Sequence, residues 1–308
     1  MTTAVLVAID WGTSNRRAYL LSDNGKILET RKDHLGILNV KNGAFDVAFD
    51  RLVGDWLVPS NNTMPVLMSG MVGSRQGWVE ASYVYCPAAI DDLTSNLVSV
   101  PGMKNVWIVP GICLEPNGER RDVMRGEEVQ VFGGLAITSG SSGTLCLPGT
   151  HSKWIKARKS QLVDFATAMT GEVFHVMCNH SILGALMEKD SYMHHESAFA
   201  RGIDSARQPG GLLNHMFTLR ADGLFGVTME DQQKSYLSGL LIGHEITGME
   251  ERGFAGSSEV FVIGAGYLTK IYGEAFEHLG YPYCVIDGEE ATVRGLFAVW
   301  KASSGEKR

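Results

Sequence analysis

A short apolar segment that runs into a Gly-Thr turn occurs twice in this chain, and this repeat constrains the fold more than any other feature. The first copy has Asp10 at the end of its apolar run and continues through residues 12–15 to a pair of arginines. The second copy, residues 144–153, has the same order of residue types but lacks the acid. Two similar strand–turn–strand units predict two related lobes. Aligning Gly12 with Gly149, 137 positions later, pairs Thr13 with Thr150, Ser14 with His151, Asn15 with Ser152, Arg16 with Lys153 and Asp10 with Leu147.

Alternating strand and helix patterns in both halves predict an α/β fold. A chain of 308 residues exceeds one ordinary core and suits two domains. We predict an N-terminal lobe over residues 1–125 and a C-terminal lobe over 126–308, with a terminal helix over 291–301 that packs back on the first lobe. Residues 191–211 are rich in polar residues and glycine, and they predict a surface excursion without regular structure.

Composition excludes several classes of protein. Twenty-seven basic against 34 acidic residues give a net charge of −7, so no basic surface for nucleic acid or an anionic membrane is expected. Five scattered cysteines without a Cys-x-x-Cys pair suit reduced thiols in a cytosol. The sequence has neither a basic leader segment nor an apolar run near the roughly 20 residues that cross a bilayer. We therefore expect a soluble, cytoplasmic protein.

The chemistry of the repeated turn suits phosphate. A glycine-rich turn after a strand presents backbone N–H groups to phosphate oxygens, and hydroxyls and a base complete the cradle. Asp10 would then hold Mg²⁺ largely through water. The alternative for a single copy is an ordinary β-turn, and the second copy disfavours it. No P-loop motif occurs, and Thr269 stands where a dinucleotide fingerprint needs glycine, so Gly264-Ala265-Gly266 is interpreted as a close-approach site for adenosine.

Residues 69–78 combine three glycines with polar and aromatic side chains directly after a predicted strand. Arg75 could bind a carboxylate, Gln76 hydroxyl groups, and Trp78 an apolar face, as a pocket for a polyhydroxylated acid requires. The alternative is an arginine and a tryptophan at a domain surface. His175, Cys178 and His180 do not converge on one helix face, so a zinc site is not expected.

In combination, these motifs resemble the sugar kinase/actin/heat-shock ATPase superfamily. Within it, the chain resembles the 2-dehydro-3-deoxygalactonokinase family over nearly its full length. The resemblance implies two related actin-like (ribonuclease H-like) lobes, each a mixed sheet flanked by helices, with an interlobe nucleotide cleft. It implies ATP-dependent phosphorylation of the terminal (6-) hydroxyl of 2-dehydro-3-deoxy-D-galactonate in bacterial galactonate breakdown. The matching stretches are residues 10–17, 70–78, 124–128, 147–154, 170–172 and 237–243.

The resemblance also implies roles for individual residues. Asp10 would position Mg²⁺ and take part in catalysis, with Glu128 as the favoured general base and Glu127 as the alternative. One or both glutamates could instead cap the helix that they begin. Arg17 matches the family spacing, whereas Arg16 pairs with Lys153 in the internal repeat, so Arg17 is predicted to be the functional arginine. The expected ATP contacts are Gly12, Thr13, Ser14, Asn15, Arg17, Gly149, Thr150, His151, Lys153, Gly264, Ala265 and Gly266; the expected substrate contacts are Met71, Gly73, Arg75, Gln76, Trp78 and Arg125.

Three other functions stay open at this point. One is a kinase for another 2-keto-3-deoxy sugar acid, and a second is a phosphohydrolase of the exopolyphosphatase type. A third is a non-catalytic ATP-sensing module, which would not need a sugar-acid wall. The expected partners are ATP, Mg²⁺ and a small sugar acid, without nucleic acid or membrane, and a homo-oligomer stays open.

Overall fold

The computed structural model describes residues 3–60, 63–115, 118–189 and 193–305. The chain divides into two compact units. The first comprises residues 1–142, 156–165 and 286–308, and the second comprises 143–155 and 166–285. The predicted boundary after residue 125 differs from this division, because residues 126–142 and the C-terminal segment belong to the first unit.

The strands and helices alternate along the chain, which confirms the predicted α/β fold class. The strands are β1 (Ala4–Trp11), β2 (Arg16–Ser22), β3 (Ile27–Asp33), β4 (Val66–Ser69), β5 (Tyr83–Tyr85), β6 (Val98–Ser99), β7 (Val106–Ile108), β8 (Gly111–Cys113), β9 (Val123–Met124), β10 (Gly143–Leu147), β11 (Ser152–Arg158), β12 (Gln161–Ala168), β13 (Val260–Gly264) and β14 (Tyr283–Asp287). The helices are α1 (Phe45–Leu57), α2 (Ile90–Ser95), α3 (Glu127–Ile137), α4 (Thr170–His180), α5 (Glu196–Ala206), α6 (Gly211–Leu224), α7 (Gln233–Glu251), α8 (Gly266–Leu279) and α9 (Gly288–Ser303).

The first unit is built on a mixed sheet with the strand order β3-β2-β1-β4-β7-β6. Strand β1 runs antiparallel to β2 and parallel to β4, and its residues 6–9 are fully buried and apolar. Such a continuous apolar run is what a strand covered on both faces requires. In this register Asp10 lies opposite Arg17 on β2 and Ser69 on β4. The carboxylate therefore stands at the carboxyl end of a central strand, where open α/β sheets bind their ligands.

The second sheet repeats this order as β12-β11-β10-β13-β14, and β10 runs parallel to β13. In each sheet the strand before the Gly-Thr turn has the next two strands of the chain on one side. On its other side lies a strand that comes much later in the sequence. The short sequence repeat thus corresponds to a repeated strand topology.

Two glycines explain why α3 belongs to the first unit. A Cβ atom on Gly133 of α3 would lie 1.8 Å from the Ala291 carbonyl oxygen of α9. A Cβ atom on Gly295 of α9 would lie 1.9 Å from the Val129 carbonyl oxygen of α3. The two helices therefore pack backbone against backbone, which only glycine permits at these positions.

The prediction of an irregular surface excursion over 191–211 is wrong for residues 196–206, which form α5. This helix buries one face and packs closely on α7, where a Cβ atom on Gly239 would lie 2.0 Å from the Phe199 carbonyl oxygen. Its buried residues recur at the spacing of one helix face, so the sequence contained a usable helical signal here. Residues 191 and 192 of the predicted excursion lie outside the described residues. The buried set on α5 is Ala198, Phe199, Gly202, Ile203 and Ala206.

The five cysteines, Cys86, Cys113, Cys146, Cys178 and Cys284, are free thiols in the structure. Among the described residues, no helix combines the length and the apolar character that crossing a membrane requires.

Candidate active site

The turn between β1 and β2 uses its carbonyl groups to fix its own shape. The Gly12 amide donates to the Asn15 carbonyl at 2.9 Å, which closes the turn. The amides of residues 36–38 donate to the carbonyls of Ser14, Gly12 and Thr13 at 3.0–3.2 Å. Residue 36 must be glycine, because a Cβ atom there would lie 2.3 Å from the Thr13 carbonyl oxygen. The neighbouring loop thus binds the carbonyl side of the turn.

The opposite side of the turn is open. Thr13 and Ser14 are exposed, and their amides donate to no other residue in the part of the chain that the structure describes. The Asn15 side-chain carbonyl lies 2.7 Å from a ring nitrogen of His34. A turn with its carbonyls engaged and its amides and hydroxyls directed outward has the polarity that an anion requires.

Asp10 lies beside this turn in a cavity of about 210 Å³. Burial raises the pKa of Asp10 to about 6; the positive charge of Arg17 opposes the shift and the negative charge of Glu127 adds to it. A cation bound beside Asp10 would stabilise the charged form of this buried carboxyl. The predicted role of Asp10 as a metal ligand requires that form. The cavity is lined by Asp10, Gly12, Thr13, Gly70, Met71, Arg125, Gly126, Glu127, Gln130 and Thr292.

The two glutamates at the start of α3 have different surroundings. Glu127 lines the cavity with Asp10, and one of its carboxylate oxygens accepts a hydrogen bond from the Arg125 amide at 3.0 Å. Glu128 is fully buried and accepts from the Gly126 amide at 2.7 Å, and its Oε1 has no partner among the described residues. Burial, together with the charge of Glu127, raises the pKa of Glu128 to about 8. Burial thus favours the neutral form of Glu128, whereas Glu127 is the glutamate that lines the cavity with Asp10.

The two arginines after the turn are separated by the pleat of β2. Arg16 is buried, and its Nε and Nη2 each donate to an Asp33 carboxylate oxygen at 2.8 Å. Its Nη1 donates to the Ala48 carbonyl at 2.7 Å, and its guanidinium lies 4.8 Å from the centre of the Trp11 ring. Arg17 points to the other face, is exposed, and acts electrostatically on Asp10. The surroundings of Arg16 are structural, whereas Arg17 stands beside the candidate site.

This difference predicts opposite effects of two alanine substitutions. Arg16→Ala should lower the free energy of unfolding by about 2 kcal/mol, because it removes a buried guanidinium that donates to the half-exposed Asp33 carboxylate and to the Ala48 carbonyl. Arg17→Ala should change that free energy by less than about 0.5 kcal/mol but lower kcat by about a hundredfold. Urea denaturation and steady-state kinetics on both variants measure the two effects. Equal losses of turnover in both variants, at temperatures where both are folded, would contradict the assignment.

Arg125 brings a guanidinium into the lining of the cavity. Its Nη2 donates to the Ala81 carbonyl at 2.7 Å, and the guanidinium lies 4.4 Å from the centre of the Tyr83 ring. Its Nε and Nη1 are buried without a hydrogen-bond partner among the described residues. A Cβ atom on Gly73 would lie 3.0 Å from Nη1, so Gly73 leaves room for this side chain. Unpaired guanidinium donors at a small cavity are suited to a carboxylate ligand.

The other residues of the predicted sugar-acid wall are dispersed. Met71 lines the cavity. The Arg75 side chain is 88% exposed and makes a 3.4 Å contact with Glu80, and Gln76 is exposed. Trp78 is half-buried and packs against the core of the first unit, stacked on Phe45 with ring centroids 6.3 Å apart. The described residues that line the cavity do not include Arg75, Gln76 or Trp78, so Arg125 replaces Arg75 as the candidate for binding a carboxylate.

The second Gly-Thr turn lies in the second unit and packs on the N-terminus of α4. The Glu172 amide donates to the Thr150 carbonyl at 3.0 Å, and the Glu172 carboxylate pairs with the His151 ring. A Cβ atom on Gly171 would lie 2.5 Å from the Gly149 carbonyl oxygen, so glycine is required for this approach. Thr150 and His151 remain exposed. As in the first turn, a neighbouring segment binds carbonyl groups and leaves polar side chains outward.

Lys153 follows the pattern of Arg16, its partner in the repeat. Its side chain is buried, and its Nζ donates to the Thr167 hydroxyl at 2.8 Å. These surroundings resemble those of a structural residue more than those of an exposed phosphate ligand.

A buried carboxylate supports the elements around the second turn. Glu245 of α7 accepts hydrogen bonds from the Trp154 indole at 2.7 Å, from the Tyr272 hydroxyl at 2.8 Å and from the Thr170 hydroxyl. Tyr272 in turn lies 2.7 Å from the Ser152 hydroxyl. Burial raises the pKa of Glu245, and the hydrogen bonds oppose that shift. The network connects the strand after the turn with the first residue of α4.

The predicted adenosine motif is the junction of β13 and α8. Gly264 ends the strand, Ala265 is extended, and Gly266 begins the helix with φ of +67°. A Cβ atom on Gly264 would lie 2.9 Å from the Thr269 side chain. Thr269 thus occupies the place next to the strand end that a third glycine has in a dinucleotide fingerprint.

A larger cavity of about 620 Å³ in the second unit contains none of these turns. Its lining includes Glu196, Glu274 and Glu277. Glu274 pairs with His194 at 2.6 Å, and Glu277 accepts from the Tyr283 hydroxyl at 2.7 Å. The smaller cavity, in contrast, contains Gly12 and Thr13 of the first Gly-Thr turn beside Asp10, so it is the candidate active site.

Four residues of that cavity, Gly70, Gly126, Gln130 and Thr292, were not among the predicted site residues. Gln130 lies one turn beyond Glu127 on the same face of α3, and this spacing was a usable signal. Gly70 adopts φ of +92° and approaches both Asp10 and Gly126, so the cavity requires its missing side chain. Thr292 comes from α9 and accepts a hydrogen bond from the Gln130 amide at 3.1 Å. No local pattern predicts such a distant contribution.

The donor set around Asp10 fits a magnesium ion. Across residues 3–60, 63–115, 118–189 and 193–305, no group of three or more His, Cys, Asp and Glu side chains could hold a metal ion. Asp10 and Glu127 both line the cavity, and carboxylate oxygen is the type of ligand that Mg²⁺ prefers.

Comparison with known proteins gives one consistent family. Residues 10–299 match the model of the 2-keto-3-deoxy-galactonokinase family. The 2-dehydro-3-deoxygalactonokinase of Escherichia coli K12 is 34% identical over 297 residues, which cover 96% of this chain and 98% of that protein.

Solved structures agree with this result. The crystal structure of a Sinorhizobium meliloti protein, provisionally given the same name, superposes with a TM-score of 0.88 and 32% identity, covering 96% of this chain and 98% of the other. Component A of the Acidaminococcus fermentans (R)-2-hydroxyglutaryl-CoA dehydratase shares the fold alone, with a TM-score of 0.54 and 12% identity over 98% of this chain and 100% of that chain. With matching motifs, matching length and this shared structure, the chain belongs to the 2-keto-3-deoxy-galactonokinase family.

Proposed function

We propose that this protein is an ATP-dependent 2-dehydro-3-deoxygalactonokinase that phosphorylates the terminal (6-) hydroxyl of 2-dehydro-3-deoxy-D-galactonate. The observation that carries the proposal is the cavity that Asp10, Glu127 and Arg125 share beside an outward-facing Gly-Thr turn. A sugar-acid kinase needs cationic donors that bind the substrate carboxylate and amides that bind phosphate. It also needs a carboxylate that accepts the proton of the reacting hydroxyl. The E. coli relative supplies the identity of the acid.

Phosphate binding is assigned to the open side of the first turn. The Thr13 and Ser14 amides and hydroxyls would donate to phosphate oxygens, and Arg17 would neutralise charge at the same place. In the second unit, Gly149, Thr150 and His151 are assigned the same task. Gly264, Ala265 and Gly266 are assigned to adenosine, because glycine at a strand end permits close approach of a ligand to the backbone.

In the proposed reaction, the substrate hydroxyl oxygen forms a bond to the γ-phosphorus of ATP while the bond from that phosphorus to the β–γ bridging oxygen breaks, releasing ADP. Glu127 would accept the hydroxyl proton, because it is the glutamate that faces the cavity. Glu128 is assigned a positioning role. Its carboxyl accepts a hydrogen bond from the Gly126 amide and so fixes the backbone at the start of α3.

The metal would be held by Asp10. Mg²⁺ supplies charge neutralisation on the transferred phosphoryl group when bound. The raised pKa of Asp10 reflects a buried carboxylate that a cation would stabilise in its charged form.

The substrate carboxylate is assigned to Arg125. Its Nε and Nη1 are buried donors without a partner among the described residues, and a bidentate carboxylate would satisfy them. Met71 and Gly73 would line the same pocket. The protein is proposed to work in the cytoplasm, in keeping with five free thiols and the intracellular supply of ATP.

The test is ADP release by the purified protein with MgATP and a panel of acids. We expect release with 2-dehydro-3-deoxy-D-galactonate, less with its gluco epimer, and none with an analogue that lacks the terminal hydroxyl. Phosphorus NMR of the product should show a phosphate ester coupled to the C6 protons.

Two outcomes would overturn the proposal. Acid-independent phosphate release from ATP or from polyphosphate, without acid-dependent ADP release, would indicate a phosphohydrolase instead. A higher kcat/KM for another 2-keto-3-deoxy acid would keep the reaction and change the substrate.

A further inference from the structure

The second unit has a set of large apolar side chains that are exposed to solvent on and just after α6. We call this set the α6 patch. Its members are between 56% and 84% exposed. They are Leu213, Phe217, Leu224, Phe225, Val227 and Met229.

The patch is contiguous along the helix. At about 100° per residue, Leu213, Phe217 and Leu224 fall within about 40° of one another, so they form one stripe. The stripe runs over nearly the whole helix of 14 residues. Phe225 and the two residues that complete the patch follow directly in the chain.

The helix that presents the patch is anchored on its other side. His215 and Leu219 are buried, and His215 Nδ1 lies 2.9 Å from His244 Nε2 on α7. His215 Nε2 also lies 3.2 Å from the Pro209 carbonyl oxygen. The exposed stripe therefore belongs to a helix whose orientation is fixed.

The size of the patch suits a protein interface. An exposed large apolar side chain offers on the order of 100–200 Å², so six offer on the order of 800 Å². Monomeric proteins rarely expose a contiguous apolar patch of more than about 600 Å², whereas a stable interface buries about 800 Å² per partner. The α6 patch reaches the area that a stable dimer needs.

The charges around the patch disfavour a lipid surface. Residues 211–231 contain one arginine, Arg220, against three acids, Asp222, Glu230 and Asp231. A helix that lies on an anionic membrane carries lysine and arginine on its polar face. Here the apolar stripe is bordered by net negative charge, so a protein partner is favoured.

We propose that the occupant of the α6 patch is a second copy of this chain. Arg220 lies within about 20° of Leu213 on the helix and so borders the stripe. Antiparallel α6 helices related by a two-fold axis place leucine opposite leucine at the two ends and Phe217 opposite the partner's Arg220, an aromatic ring opposite a guanidinium. In this arrangement Leu213 lies opposite the partner's Leu224. Such an interface is self-complementary, as cyclic dimers require.

Light scattering coupled to gel filtration tests this proposal on the full-length protein. The wild-type chain should have twice its 33.5 kDa mass at micromolar concentration. Phe217→Glu and Leu213→Glu should each raise the dissociation constant of the dimer at least about thirtyfold, because a charge is then buried at the centre or end of the stripe. Both side chains are exposed, so both variants should retain the wild-type circular dichroism spectrum.

Val47→Glu is the matched control, since Val47 is also an exposed apolar residue on a helix, but of the first unit. This variant should remain a dimer. A monomeric wild-type protein at micromolar concentration would overturn the proposal, as would a dimer that both glutamate substitutions in the patch leave intact. The masses do not depend on catalysis, so the result is independent of the proposed kinase activity.

Discussion

Asp10→Asn is expected to lower kcat by about a thousandfold or more while the protein stays folded. The substitution is nearly isosteric and removes the one charge proposed to hold Mg²⁺ at the carboxyl end of β1. Burial already disfavours that charge, since the pKa of Asp10 is raised to about 6. A neutral amide avoids this cost, so the variant should be at least as stable as the wild type at pH 7.

The measurements are steady-state kinetics and thermal unfolding at pH 7. The Mg²⁺ concentration that gives half-maximal turnover should also rise as the pH drops through about 6, because protons then compete with the cation for the Asp10 carboxylate. Asp23→Asn is the control, since Asp23 is an exposed aspartate in the turn between β2 and β3. Turnover of Asp10→Asn within tenfold of the wild type would contradict the role of the carboxylate.

Glu127→Gln is expected to lower kcat by about a hundredfold to ten-thousandfold, with KM values for ATP and the sugar acid changed only a few-fold. The glutamine keeps the size of the side chain and its contact with the Arg125 amide but cannot accept the hydroxyl proton. Single-turnover kinetics with saturating substrates measure the chemical step directly.

Glu128→Gln is the matched comparison, because the two glutamates are adjacent at the start of one helix. We expect its turnover to stay within about tenfold of the wild type. A thousandfold loss in this variant, with Glu127→Gln nearly active, would reverse the assignment of the base.

The same variant should alter the pH dependence of stability. The folded-state pKa of Glu128 is about 8, well above its unfolded value of 4.5. The folded state therefore binds more protons between these values, and the wild type loses stability as pH rises through that range. Glu128→Gln lacks this loss, so its free energy of unfolding relative to the wild type should rise by a few kcal/mol between pH 5 and pH 8. Urea denaturation at the two pH values measures the difference.

Much of the architecture could be predicted from the sequence. A β-branched, apolar run before Asp10 predicts a buried strand, and the second Gly-Thr turn predicts a second sheet of the same order. One helix was missed because polar and glycine residues surround it. Ala198, Phe199 and Gly202 have the spacing of a buried helix face, but the residues at both ends of the 191–211 region favour an irregular loop.

Helical periodicity could have distinguished the two glutamates. Glu128, Val131, Phe132 and Leu135 follow the spacing of a buried stripe, and all four are buried. Glu127 and Gln130 lie on another face of α3, the face that lines the cavity. The spacing of the apolar residues along α3 therefore shows which glutamate faces the core. The pair of glutamates alone does not.

The sequence by itself determined the two strand–turn units, the family and the place of Asp10 at the end of β1, because these depend on neighbouring residues and on a repeat that is visible in one dimension. Only the tertiary structure decided which polar residues meet. It buried Arg16 against Asp33, packed Trp78 against the core and brought Arg125 and Thr292 to the cavity beside Asp10. The physical reason is that a site is formed by contacts between residues far apart in the chain. Those contacts depend on how buried faces pack, which a local motif does not specify.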